Sequence, residues 1–135
     1  MRRGRYLLVA VLAAILAGGA FAAVSRTAAK IPVTEKEWGV TPSPASAKAG
    51  SITFVVKNIG HLKHELVVLK TKTPAAKLKT SGAKAVITGQ IGKIAQFGSG
   101  QTRTLTLKLA PGHYVLLCNL PAHYQAGQRV DFTVR

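Results

Sequence analysis

Short runs of β-branched and aliphatic residues, each bounded by Gly, Pro or Asn, recur along this chain and favour a fold built from strands. In the run 102–109, leucines alternate with threonines and a lysine, which is the period of two expected of a sheet with one face in water. No long helical period follows the N-terminal segment, so the sequence predicts an all-β sandwich or small barrel. Strands are predicted at 33–40, 52–57, 65–70, 102–109, 113–118 and 130–135.

The connections between these strands differ in how much the sequence says about them. In the first strand we expect Trp38 to turn inward. The pair Pro111-Gly112 predicts a sharp, hairpin-like return of the chain. The segment 71–101 contains five glycines and is a long connection that holds one short helix or one short strand, and the pattern does not decide between them.

The N-terminus has the pattern of an export signal. Three arginines occur within residues 1–5, an apolar run covers 6–17, and Ala20-Phe21-Ala22 fits the small-x-small pattern of a cleavage site. We therefore predict a signal peptide at 1–22, a leader or linker at 23–34 and one domain at 35–135. The protein is then exported to the periplasm or the extracellular space, or is membrane-anchored if the signal is not cleaved.

The chain is strongly basic, with 19 Lys and Arg against 4 Asp and Glu. This charge predicts anionic partners and allows peripheral association with an anionic membrane surface. A solvated basic loop that aids solubility is the alternative for the lysines at 70, 72, 77, 79 and 84. We expect no nucleic-acid binding, since no arginine-rich helix or aromatic stacking platform is evident. We also expect a monomer.

The only cysteine, Cys118, cannot form an internal disulfide, and an unpaired thiol in an exported protein indicates a special role. Cys118 and His123 are separated by four residues in a loop between two predicted strands, with Pro121 stiffening the turn. They can converge on one metal ion if another strand supplies a second histidine, and His64 stands at the start of such a strand. Two imidazoles and one thiolate form the trigonal ligand set typical of blue copper.

Each of these residues also has a simpler interpretation when it is considered alone. His64 could be a histidine at a strand end, Cys118 an inert buried thiol and His123 an exposed loop residue. Their joint spacing favours metal binding over three coincidences. We interpret His61 and His113 as structural or surface residues.

Several motifs resemble those of the cupredoxin family, particularly plastocyanin-like and azurin-like small copper proteins, and the likeness spans about residues 35–135. The motifs are Asn58-Ile59-Gly60, His64-Glu65-Leu66, the run Tyr114 to Cys118, Pro121, His123 and Gly127. The resemblance implies an eight-stranded Greek-key β-sandwich, one type 1 copper ion and single-electron transfer. It also makes Asn58 and the backbone amides of the Cys118 loop candidates for hydrogen bonds to the cysteine sulfur.

One departure from the family concerns the axial ligand. The methionine usually found five residues after the loop histidine is replaced here by Gln128, and the only methionine of the chain is Met1. A glutamine oxygen is an alternative weak axial ligand, as in stellacyanin-like members, and a harder oxygen donor favours Cu(II) and lowers the reduction potential. The alternatives are a three-coordinate ion or an axial backbone carbonyl, such as that of Lys63.

An electron carrier is therefore the leading functional hypothesis, and its anionic partner would be a redox protein or a membrane electron-transfer complex. Extracytoplasmic copper storage or delivery is the second, although the mature chain lacks the methionine clusters typical of trafficking sites. A metal-free interaction domain is the third. We expect no enzyme, because the chain has four histidines and four acidic residues and offers neither a catalytic triad nor a multinuclear copper site.

Overall fold

The computed structural model describes residues 26–135, and the predicted signal peptide at 1–22 lies outside the described residues. Two sheets face each other, with strand orders β2-β1-β4-β9 and β3-β11-β10-β5-β8, and a separate hairpin joins β6 to β7. The strands are β1 Ala29–Lys36, β2 Gly39–Pro42, β3 Ser46–Ala47, β4 Gly50–Asn58, β5 His64–Lys70, β6 Thr80–Ser81, β7 Lys84–Ala85, β8 Gln90–Phe97, β9 Thr102–Leu109, β10 Gly112–Leu117 and β11 Arg129–Val134. A 3-10 turn spans Ala75–Lys77, and one short helix, α1, spans His123–Ala126.

The first sheet has one buried and one wet face because its strands alternate in polarity. In β4, Ile52, Phe54 and Val56 are fully buried, whereas the side chains between them face outward. One of those outward residues, Thr53, pairs across strands, since its Oγ1 lies 2.8 Å from Thr106 Oγ1 of β9. Strand β4 is central, pairing parallel with β1 and antiparallel with β9.

The second sheet is covered on both faces near its middle. Strand β5 is buried from His64 to Leu69, a continuous pattern that requires cover on each side. One face meets the other sheet, where the rings of Phe54 and Phe132 pack edge to face at 5.4 Å between centroids. The opposite face lies under the connection that follows β5, with Tyr124 and Ala75 in a second apolar cluster.

The all-β prediction is confirmed, and most strands occur where the sequence placed them. The first predicted strand is instead two: β1 and β2 are joined by a turn at 37–38, and Trp38 is 46% exposed rather than turned inward. A turn exposes this indole because the backbone reverses there and leaves the sheet face. Strand β1 begins at Ala29, so residues 29–34 of the expected leader belong to the sheet.

Two connections also differ from expectation. Pro111-Gly112 does not close a hairpin, because β9 lies in the first sheet and β10 in the second, and the turn carries the chain between them. The segment 71–101 contains more than one element, namely the 3-10 turn, the β6–β7 hairpin and the full-length strand β8. With the short pairings counted, the described residues form eleven strands rather than eight. The only α-helix of this part of the chain has four residues, and no helix in it is long and apolar enough to span a membrane.

Candidate metal centre

Strand pairing brings the predicted ligands to one end of the sandwich. His64 is the first residue of β5, and Cys118 directly follows the last residue of β10. Because β5 and β10 are antiparallel neighbours, the start of one lies beside the end of the other. The chain then turns through α1, which begins at His123, and enters β11 just after Gln128.

Three side chains converge at this end. One potential ligand atom each from His64, Cys118 and His123 lies within 4.8 Å of the others. The Nδ1 atom of His123 is 3.4 Å from Nδ1 of His64 and 3.4 Å from Sγ of Cys118. His64 and Cys118 are fully buried, whereas His123 is partly exposed.

Gln128 is the fourth polar side chain at this position. It is fully buried, and its Oε1 atom lies 3.2 Å from Nδ1 of His123. Within residues 26–135 its Nε2 atom has no hydrogen-bond partner. A buried amide with half of its hydrogen-bonding capacity unused is costly, so its retention here is consistent with a role toward a bound group.

The donor set fits copper. Two imidazole nitrogens and one sulfur combine the intermediate and soft donors that copper accepts in both oxidation states. Separations of 3.4 Å between donor atoms are those expected when atoms share one ion at about 2.0–2.3 Å.

Burial sets the protonation of two of the ligands. Desolvation raises the pKa of Cys118 to about 11, and the N–H of Glu65 opposes this by donating to the sulfur across 3.4 Å. Burial also lowers the pKa of His64, which favours the neutral imidazole that a metal needs. The metal-free centre therefore holds a neutral thiol and a neutral ring, and metal binding must displace the thiol proton.

A carboxylate that the sequence analysis missed stands behind His64. Glu37 Oε1 lies 3.0 Å from Nε2 of His64, on the side of the ring away from the cluster. The N–H groups of Leu62 and His61, with a smaller part from His64, lower the pKa of Glu37 to about 2. Glu37 precedes His64 by 27 positions and lies in a turn, so no local motif links them. The available signal was the scarcity of acidic residues in so basic a chain.

Trp38 is a second neighbour that the sequence did not reveal. Its ring packs edge to face on His123, with centroids 4.9 Å apart. The exposed indole therefore covers part of the imidazole that reaches the surface.

The other polar residues considered from the sequence have structural roles. Asn58 does not reach the sulfur, because its Nδ2 donates to Leu62 O and Phe97 O and its Oδ1 accepts from Gly60. His61 is exposed and lies outside the cluster. His113 also lies outside it, with Nε2 2.7 Å from Asp131 Oδ1.

Several solved structures are similar to this chain. A dithionite-reduced auracyanin from Roseiflexus castenholzii matches with a TM-score of 0.62 and 26% identity, over 82% of this chain and 99% of that one. Auracyanin A from Chloroflexus aurantiacus, described as a "blue" copper protein, matches with a TM-score of 0.59 and 19% identity, over 81% and 100%. An azurin from Methylomonas sp. strain J matches with a TM-score of 0.60 and 17% identity, over 81% and 99%. Neither a protein-family model nor a curated protein matches the sequence.

The sandwich has the fold of the cupredoxins to which this chain is similar. Within that fold, His64, Cys118 and His123 form a site that fits one blue copper ion.

Proposed function

We propose that this chain is an exported type 1 copper protein that carries single electrons between redox partners. The observation that supports this most directly is the convergence of a buried thiol, a buried imidazole and a surface-reaching imidazole at one end of the sandwich. When bound, a copper ion supplies one-electron Cu(I)/Cu(II) chemistry. His64, Cys118 and His123 would hold it.

The protein frame supports this function by keeping the ligands in one arrangement. The Cys118 N–H donates to Gln128 O across 3.0 Å, which closes the loop at its base. Asn119 pairs with both backbone groups of Ala85, donating from Nδ2 across 3.0 Å and accepting at Oδ1 across 2.8 Å. Tyr124 OH donates to Ala75 O across 2.7 Å. A loop held at three points rearranges little between oxidation states, and fast electron exchange requires this.

Gln128 is our proposed axial ligand. Its burial and the position of Oε1 beside His123 support this role, while the carbonyl of Lys63 remains the alternative donor. An amide oxygen is harder than a thioether, so it favours Cu(II) and lowers the potential relative to methionine.

The surface around His123 is our proposed point of electron exchange. Pro121, Ala122 and Ala126 are exposed beside it, and Trp38 covers one side of the ring. A small apolar surface suits a transient contact that must form and dissociate quickly. The exposed lysines of residues 70–84 would attract an acidic partner over longer range.

The test is a Cu(II) titration of the protein without its predicted signal peptide, residues 23–135, followed by optical and electron paramagnetic resonance spectroscopy. We expect an intense visible thiolate-to-copper band with narrow hyperfine splitting that is absent in Cys118→Ser. His113→Ala is the matched control, because that histidine lies outside the cluster. Pale copper binding unaffected by Cys118→Ser would contradict the proposal and favour storage or delivery of copper. A wild type that binds no copper would also contradict it and favour a metal-free interaction domain.

The reduction potential and the spectrum of a Gln128 variant test the axial ligand. In Gln128→Met the reduction potential should rise, because a softer donor favours Cu(I). An unchanged potential and spectrum would assign the axial position to a backbone carbonyl instead.

A further inference from the structure

We propose that Glu37 is a positioning residue for the copper centre, which fixes the His64 ring with Nδ1 toward the cluster and stabilises the oxidised state by its charge. This inference rests on the proposed copper function and extends it to a residue outside the ligand set. Two observations support it: the hydrogen bonds of the Glu37 carboxylate, and the conformation of the turn at residues 58–62 that surrounds this carboxylate.

The carboxylate has three hydrogen-bond partners. It accepts from the Leu62 N–H across 2.7 Å and from the His61 N–H across 3.0 Å. Its third contact is Nε2 of His64 at 3.0 Å. An ionised carboxylate can only accept, so the ring must donate from Nε2. The Nδ1 lone pair is then free on the side where His123 lies 3.4 Å away.

The segment 58–62 is shaped to receive this carboxylate. A Cβ atom at Gly60 would lie 2.6 Å from both oxygens of Glu37, a separation that real Cβ atoms do not adopt, so a larger residue there would displace the carboxylate. Asn58 braces the turn by accepting from Gly60 N and donating to Leu62 O. Ser99 holds it from the other side, with its hydroxyl donating to Gly60 O across 2.6 Å. Asn58, Gly60 and Ser99 therefore form a binding position for the Glu37 carboxylate, which indicates that its location is specified by the surrounding structure.

The contacts of Glu37 differ from those of the other carboxylates of the chain. The chain has four acidic residues. Glu65 pairs with Lys93 across 2.9 Å, Asp131 contacts His113, and neither oxygen of Glu35 has a partner within residues 26–135. Glu37 alone among the four contacts a histidine of the cluster.

Two physical effects follow from this contact. The hydrogen bond fixes the tautomer and the rotation of the ring, as carboxylate partners of metal-bound histidines do. The negative charge, transmitted through the ring, favours the state of the centre with the higher positive charge. The Glu37 side chain is 21% exposed, so solvent weakens the second effect without removing it.

The experiment compares Glu37→Gln with Asp131→Asn. Each variant removes one negative charge from a carboxylate that contacts Nε2 of a histidine, but only His64 belongs to the cluster. We expect Glu37→Gln to weaken Cu(II) binding about tenfold more than Cu(I) binding, which raises the reduction potential by about 59 mV. Asp131→Asn should leave the potential almost unchanged. Equal shifts in both variants, or no shift in either, would overturn the inference.

A second measurement does not require copper. Nitrogen-15 NMR of the metal-free protein should show His64 protonated at Nε2, with a ring N–H that exchanges slowly and becomes fast in Glu37→Ala. A proton on Nδ1 in the wild type, or slow exchange that survives the substitution, would overturn the inference. If the wild type binds no copper but shows the expected tautomer, the proposed function fails while the positioning role of Glu37 stands.

Discussion

Glu35 is an acidic side chain in the apolar interior. It is fully buried on β1, and within residues 26–135 neither of its carboxyl oxygens has a hydrogen-bond partner. Burial, with a further contribution from the nearby charge of Glu65, raises the pKa of Glu35 to about 8 from 4.5. The carboxyl is therefore neutral in the folded protein over the pH range in which the unfolded chain would ionise it.

This difference predicts how stability depends on pH. Because the folded pKa is above the unfolded one, the free energy of unfolding should fall as pH rises from 4.5 to about 8 and then level off. The loss is ~5 kcal/mol at most, from about 1.4 kcal/mol per unit of pKa difference. Denaturant unfolding of the metal-free wild type and of Glu35→Gln at several pH values measures this loss of unfolding free energy. We expect the wild type to lose stability relative to the variant across this window, and parallel curves would contradict the prediction.

At the scale of elements, the connection from β5 to β8 requires a specific backbone conformation. Gly89 has φ +93°, and a Cβ there would lie 2.8 Å from the backbone oxygen of Lys70. Gly100, between β8 and β9, has φ +75° but would place its Cβ in open space. The two glycines thus share the left-handed conformation and differ in crowding.

These two positions make a matched pair of substitutions. Gly100→Ala should destabilise the protein by about 1–2 kcal/mol, the cost of a left-handed alanine. Gly89→Ala should lower the free energy of unfolding by ~1–3 kcal/mol more than Gly100→Ala does. The added methyl group meets a backbone oxygen, which cannot move aside as the end of a flexible side chain can. Denaturant unfolding at one pH gives both values. Equal losses would show that the turn before β8 relaxes around the added methyl group.

What the sequence could predict at this scale depends on how local each signal is. Strands such as β4 and β9 were found because their alternation is visible within a few residues, and the Cys118–His123 loop because both ligands lie in one short segment. His64 was found because it stands at the start of a predicted strand, where its side chain can reach the same end of the sandwich as that loop. Glu37 and Trp38 were missed as neighbours of the centre, because a turn between β1 and β2 brings them to residues far along the chain.

At the scale of the whole molecule, positive charge is the dominant feature. The formal net charge is +15 for the full sequence, and the lysines at 70, 72, 77, 79 and 84 are all exposed. The 70–84 segment is tied to the ligand loop, since Asn119 pairs with Ala85 and Ala122 N–H donates to Ala83 O across 2.8 Å. The basic loop therefore has a fixed position relative to the proposed exchange surface.

This placement predicts how salt affects electron exchange. Oxidation of the reduced copper protein by an anionic complex such as hexacyanoferrate(III) should slow as ionic strength rises, because screening acts over about 8 Å at 0.15 M salt. Replacing both Lys77 and Lys79 by Glu should reduce the rate at low salt, and stopped-flow absorbance measures it. The same variant should accelerate the reaction with a cationic complex. If the rate changes neither with salt nor with the substitutions, these lysines contribute to solubility alone.

The order of the elements along the chain has a consequence for biogenesis. The ligand loop precedes β11, and β11 must pair with β10 and β3 before the loop is closed at both ends. During synthesis from the amino end, His64 and its strand emerge well before Cys118 and His123, so one of the three cluster residues is made long before the other two. The loop that carries those two is fixed at both ends only once β11 has paired, so we expect a metal ion to bind late in folding rather than at its beginning.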